Sequence, residues 1–265
     1  MYNVSFPNLG LYFNINPVAF SIGNINIYWY GIIIATAIIL GLAVAKMIDG
    51  RYGIKYDDVE EFILWAIPIG VICARLYYVV FSWKSYEADL LSIFKIWEGG
   101  LAIYGGIIGA FITGLVYCKV KKISFLDLTD YVVPLLALGQ AIGRWGNFVN
   151  REAYGVETDG FFRMEILKKA GEYISVHPTF LYESVGLIFI FAILMLTKRR
   201  FSGEKTALYF FMYGVLRSFI EWLRVDSLML FNVKISMVLS IVFAVVALGF
   251  IICNLVKLKK IQNII

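Results

Sequence analysis

Three ionisable side chains fall in register in the stretch GVLRSFIEWLR: Arg217, Glu221 four residues on, and Arg224 at i+7. On a helix that spacing puts all three on one face. The residues between them are apolar, and a charge within a bilayer is costly, so the face is expected to look into a polar cavity rather than at lipid. Guanidinium groups carry a rigid fork of donors suited to phosphate oxygens. The chemistry implied is the handling of an anionic, phosphate-like group. The competing reading is an ion-pair network that only locks helices together. Arg75, in VICARLYY, is another charge set inside apolar sequence.

A second dense region is GQAIGRWGNFVNREAYG, residues 139–155, with Arg144, Asn147, Asn150, Arg151 and Glu152. Its glycines, 143, 146 and 155, permit close backbone approach or positive φ. By spacing, Arg144 and Asn147 are the donors nearest the membrane; a glycine-rich helix end with solvated charges is the alternative. The single histidine, His177, stands in HPTFLYES with Glu183 six residues on. At the start of an apolar run it is placed to accept a proton, to support a neighbour, or simply to hold structure. WEGGLAIYGGIIGA sets four glycines around Tyr104, which gives either close helix packing or room for a ligand beside a hydroxyl. There is no HExxH or comparable spacing, so no metal is expected. Cys73, Cys118 and Cys253 form no CxxC pair and read as small buried hydrophobes.

These residues need a membrane scaffold. Hydrophobic residues make up 60% of the 265, charged residues 16%, and mean hydropathy is +0.78; soluble domains carry about 25% charge. The sequence predicts an all-α integral membrane protein, one membrane domain over 1–265, with about seven transmembrane helices. The spans are Ile27–Met47, Phe62–Phe81 (broken by Pro68 and Gly70), Leu101–Val120, Leu126–Ile142, Thr179–Leu196, Thr206–Trp222 and Ile235–Val256. Each can cross most of a roughly 30 Å core. The segment 144–178, too long for a turn and patterned as in GFFRMEIL, predicts a small external subdomain between the fourth and fifth spans. The uncharged, aromatic stretch Tyr2–Asn26 is expected on the outer surface. No leader rich in Lys or Arg precedes the first span, which is expected to direct its own insertion.

Orientation follows from the basic residues. With the N-terminus outside, Lys46, Arg51, Lys55, Lys119, Lys121, Lys122, Lys198, Arg199, Arg200, Lys205, Lys257, Lys259 and Lys260 lie inside, thirteen in all. Lys84, Lys95, Arg144, Arg151, Arg163, Lys168, Lys169, Arg224 and Lys234, nine, lie outside. The bias fits the positive-inside rule. The net charge of +5 is thereby explained by anchoring at helix ends, and nucleic acid is not an expected partner.

GRWGNFVNREAYG, residues 143–155, resembles the signature of the prolipoprotein diacylglyceryl transferase family. YGIIIA of the first span, Arg75, WEGGLAIYGG, HPTFLYE and RSFIEWLR follow in the family's order, so the resemblance covers nearly the whole chain. It implies a multi-pass protein of the bacterial inner membrane, N-terminus outside and C-terminus cytoplasmic. It implies transfer of the diacylglyceryl group of phosphatidylglycerol to the lipobox cysteine of a prolipoprotein, releasing glycerol-1-phosphate, with no cofactor. By the same resemblance the essential signature arginine falls on Arg144, the asparagine on Asn147, the acidic residue on Glu152, the closing glycine on Gly155, the late-helix pair on Arg217 and Glu221, and the early tyrosine on Tyr30.

Where several members of that family carry a histidine, this chain has Tyr104. A tyrosine of pKa near 10 is a poor base at neutral pH. What the resemblance implies is a catalytic set of Arg144, Arg217 and Glu221, with His177, Tyr104 or Glu152 expected to assist thiol deprotonation. Tyr30, Arg75, Asn147, Asn150, Gly155, Arg224 and Glu183 are the candidates for substrate binding. The substrate supplies the nucleophile, in keeping with the lack of a GxSxG elbow. Intramembrane arginines would equally serve a lipid or small-anion transporter without covalent chemistry, or a lipid-binding scaffold.

Overall fold

The computed structural model describes residues 2–23, 25–168, 171–225, 229–230 and 233–263; Lys169, counted among the outer charges, lies outside them. In chain order the elements are β1 (Val4–Phe6), β2 (Leu11–Phe13), β3 (Val18–Ile22), β4 (Ile25–Tyr28), α1 (Trp29–Met47), α2 (Tyr56–Phe81), α3 (Ile103–Lys121), α4 (Phe125–Asn150), β5 (Met164–Leu167), β6 (Tyr173–Val176), α5 (Thr179–Leu196), α6 (Glu204–Leu223), β7 (Met229–Leu230), β8 (Val233–Lys234) and α7 (Ile235–Gln262). Among the described residues these are the seven helices the sequence predicts, and the protein is a multi-pass membrane protein. Six of the seven are long and apolar enough to cross a bilayer; the exception, α6, carries Arg217 and Glu221 with Glu204 and Lys205 at its start. Composition disfavours α6 as a lipid-facing span because it holds the charges of the site.

Two helices depart from their expected limits. α2 runs through Pro68 and Gly70 as 26 continuous residues. Proline removes one backbone bond, a loss that membrane helices tolerate where neighbouring groups satisfy the freed carbonyl. α4 passes through Pro134 and continues to Asn150, eight residues beyond the expected end at Ile142. Arg144, Asn147 and Asn150 thus stand on its last turns.

The chain forms two compact units, Ala45–Tyr131 on the one hand and Met1–Val44 with Val132–Ile265 on the other. In the first, α2 packs along α3. The contact runs over glycines: a Cβ at Gly105 would sit 2.6 Å from Tyr77 Cβ and 2.8 Å from Ala74 Cα, and one at Gly109 2.8 Å from Cys73 Cβ. The third-span glycines therefore bring backbones together, as small residues do between membrane helices.

In the second unit, Val133, Ala137 and Ala141 of α4 meet Leu187, Ile190 and Leu194 of α5 and Tyr209 of α6 in a buried core. Ala207 of α6 packs on Ala247 and Ile251 of α7. Beyond the helices lies a sheet of order β2-β1-β5-β6, all antiparallel where paired. Of the 144–178 segment that the sequence predicts as a subdomain, residues 144–150 end α4, while β5 and β6 join the sheet; the N-terminal strands complete it, with Val4 opposite Ile166 and Ser5 opposite Glu165. Val4, Phe6, Met164, Ile166, Val176 and Phe180 form its core. β3 and β4 make a separate hairpin, tied down where Trp29 N–H donates to Pro17 O at 3.0 Å.

Candidate active site

The chemistry-bearing residues of the second unit converge on one carboxylate. Glu183 sits one turn into α5, its side chain 2% exposed. Arg144 of α4 reaches its Oε1 through Nη2 at 3.0 Å. Arg217 of α6 reaches its Oε2 through Nη1 at 3.1 Å and Oε1 at 3.4 Å. Tyr213, one turn before Arg217, donates its hydroxyl to Oε1 at 3.2 Å. On the far side of Arg217, Nη2 lies 2.7 Å from Oε2 of Glu221, also 2% exposed. That oxygen takes no well-aligned hydrogen bond, so the contact is chiefly coulombic.

The network runs outward from Arg144. Its Nη1 donates to Asn147 Oδ1 at 3.3 Å; Asn147 Nδ2 donates to Glu152 Oε1 at 2.9 Å, as does Asn150 Nδ2 at 3.3 Å. Arg144, Asn147 and Asn150 lie on one face of α4 because they are spaced by three. Glu152 is exposed, while the guanidinium side chains keep 22% and 15% exposure. Among the described residues, neither Arg Nε is engaged. The arrangement is two buried carboxylates holding two partly exposed guanidiniums.

Arg144 and Arg217 are thus balanced by Glu183 and Glu221. The physical reason is the cost of isolated charge away from water, which is met only by pairing. Glu183, a candidate for substrate binding by its sequence, pairs instead with the two arginines, and Tyr213 is not among the sequence candidates. The signal for Tyr213 was present, since Tyr213, Arg217 and Glu221 repeat at i, i+4 and i+8. Lys234 is one of the nine basic residues assigned to the outside. Its Nζ donates to Glu221 O and Arg224 O, each at 2.7 Å, and so caps the C-terminus of α6, where the helix dipole favours a cation.

Other candidates support the site's walls. Gly155 pairs as an isolated bridge with Arg224, its N–H donates to His177 O at 2.9 Å, and Val156 N–H donates to Leu223 O at 2.8 Å. A Cβ at Gly155 would lie 2.8 Å from His177 Cβ and 3.2 Å from Leu223 O, so only glycine lets the chain thread between them. Half-buried His177 turns Nδ1 to Tyr182 Oη at 3.4 Å. Arg224 is half-buried. Tyr30 packs on α4 at Gly146, where a Cβ would stand 2.7 Å from Tyr30 Cε2.

Arg75 and Tyr104 belong to the first unit. Arg75, 6% exposed, spends its five N–H groups on backbone carbonyls: Nε to Ile93, Nη1 to Gly99 and Gly100, Nη2 to Ser92 and Lys95. It also lies 5.0 Å over the Tyr86 ring. The guanidinium thus organises the α2–α3 connection and has no donor left for a ligand. Tyr104, 38% exposed near the start of α3, faces Tyr77 at 6.5 Å between ring centroids.

A family model described as prolipoprotein diacylglyceryl transferase matches residues 17–253. Phosphatidylglycerol–prolipoprotein diacylglyceryl transferase of Finegoldia magna is 44% identical over 246 residues, which cover 92% of this chain and 96% of that protein. The enzyme of the same name from Listeria innocua is 42% identical over 256 residues, 92% of each chain. That of Limosilactobacillus reuteri is 44% identical over 258 residues, covering 92% of this chain and 93% of its own.

Proposed function

We propose how the site works in a chain that belongs to the prolipoprotein diacylglyceryl transferase family. The protein is an enzyme of the inner membrane. It transfers the diacylglyceryl group of phosphatidylglycerol to the lipobox cysteine of a prolipoprotein. The cysteine sulfur attacks the glyceryl carbon, the carbon–oxygen bond to phosphate breaks, the thiol proton passes to a base, and glycerol-1-phosphate leaves. A phosphodiester carries one negative charge and the departing monoester close to two. The transition state therefore gains charge on the phosphate oxygens.

Arg144 and Arg217 supply the donors that meet this charge. The observation that carries the assignment is their convergence, from two helices, on the single buried carboxylate of Glu183. Because that carboxylate and Glu221 already balance them, their pull on the ground-state monoanion is moderate and strengthens as the leaving group gains charge, which is differential binding. Of the three candidate bases, Glu152 is joined to Arg144 through Asn147, whereas His177 faces Tyr182; we assign the thiol proton to Glu152. Mass spectrometry of a cysteine-containing lipobox peptide, incubated with phosphatidylglycerol and enzyme, should show the diacylglyceryl mass shift. Arg144→Ala should abolish it, and Glu152→Gln should slow it severely. No shift with folded wild-type protein would refute the reaction, and a normal rate in Glu152→Gln would refute the base.

We also place the N-terminus and the 144–178 segment outside and the C-terminus in the cytoplasm, on the thirteen-to-nine bias of basic residues. A cysteine introduced at exposed Glu157 should react with an impermeant maleimide from outside in intact cells. Reaction only after permeabilisation would reverse the topology.

A further inference from the structure

A groove of about 510 Å³ opens beside the signature helix, between the chain following β2 and the end of α4. Phe13, Asn14 and Asn16 line one side, Trp29, Phe148 and Val149 the other. Its volume is that of an ordinary ligand site. Phe148 stands four residues after Arg144 on α4, so the floor of the groove and the first arginine share one helix face about one turn apart.

Three observations define the occupant. None of the lining residues is charged, so the groove offers a phosphate headgroup no counter-charge and favours a neutral guest. One wall is a stretch of chain fixed by side-chain hydrogen bonds: Asn3 donates Nδ2 to Ile15 O and its Oδ1 accepts from Ile15 N–H, each at 2.8 Å, and Asn16 Oδ1 accepts from Val18 N–H at 3.0 Å. And β2, which leads into that wall, is the outermost strand of its sheet; among the described residues nothing pairs its outer edge. An open strand edge beside apolar pockets is the arrangement by which an extended peptide is bound, main chain to main chain. An acyl chain would instead bury amide side chains and backbone polar groups without partners, which is costly.

We propose that this groove receives the prolipoprotein as an extended, uncharged peptide segment next to its acceptor cysteine, paired along the outer edge of β2 and leading the thiol toward the Arg144 end of α4. The assignment rests on the transferase reading above. It makes the N-terminal strands, far in sequence from the catalytic arginines, the determinant of peptide affinity.

Ala19 lines the same groove and is half-buried. With enzyme in phosphatidylglycerol nanodiscs, Ala19→Trp should raise the KM for a lipobox peptide by roughly tenfold, about the fold-change expected for one lost contact of ordinary strength. Its kcat and its KM for phosphatidylglycerol should stay near those of the parent. An unchanged peptide KM, or a rise in the lipid KM instead, would overturn the proposal, the latter in favour of an acyl chain. A photoreactive benzophenone at exposed Tyr12 of β2 supplies a readout that needs no turnover. Irradiation should attach the peptide; attachment of lipid alone, or of nothing, would overturn the proposal. Wild-type protein that captures the peptide without modifying it would sink the transferase reading while leaving the groove intact.

Discussion

Arg217→Lys should lower kcat by about two to three orders of magnitude, the scale at which one preorganised donor to a developing oxyanion is felt, while the protein stays folded. Charge is conserved in this variant, so the loss isolates geometry. Arg217 uses Nη1 for Glu183 at 3.1 Å and Nη2 for Glu221 at 2.7 Å, and this two-point hold on α5 and on its own helix aims the rest of the fork. A lysine ammonium is a single point on a flexible stem and cannot be fixed from two sides in that way. It would settle against one carboxylate and leave the other buried and poorly balanced. Rapid-quench measurement of a single turnover, with thermal unfolding in detergent as the control for folding, separates the two effects. Turnover near the wild-type rate would show that charge alone suffices and that the fork has no part in the reaction.

The sequence carried the helices well because a membrane span is a local property. Twenty apolar residues announce themselves without reference to the rest of the chain. The register of Arg217 and Glu221 was legible for the same reason, since four residues along a helix is a fixed distance. What was illegible is long-range. β1 is three residues, Val4–Phe6, too short for a pattern, and its partner β5 starts at Met164. Glu183 has Thr179 and Leu187 at i−4 and i+4, so nothing on its own helix marks it as a counter-ion; its partners come from α4 and α6. Arg75 shows the converse. A lone charge in apolar sequence was read as a ligand group, yet its partners are the carbonyls of a connection that follows in sequence. Gly99 and Gly100, both at positive φ, were the available sign that a tight turn there would present carbonyls to something.

Glu183→Gln tests whether that carboxylate positions the arginines or touches the substrate. Glutamine keeps the shape and one acceptor but removes the charge that Arg144 and Arg217 share. Arg217 would then keep Glu221 as its counter-ion, while Arg144 would lose the carboxylate it pairs with. Breaking a buried pair costs roughly 3–5 kcal/mol. The arginines retain 22% and 15% exposure, so water takes up part of the debt and the lower end of that range is expected, visible as a drop of several degrees in Tm. The kinetic signature is more telling. The variant gains net positive charge at the phosphate site, so the KM for phosphatidylglycerol should fall or hold. Meanwhile kcat should drop by about a hundredfold or more, because the forks are no longer aimed. If Glu183 instead contacted the headgroup directly, its loss would raise the lipid KM. Glu183→Asp sharpens the comparison: its carboxylate, one methylene shorter, can reach only one of the two arginines. It should therefore recover much of the stability and little of the turnover. Recovery of both would mean that a counter-charge is all the site requires of this position.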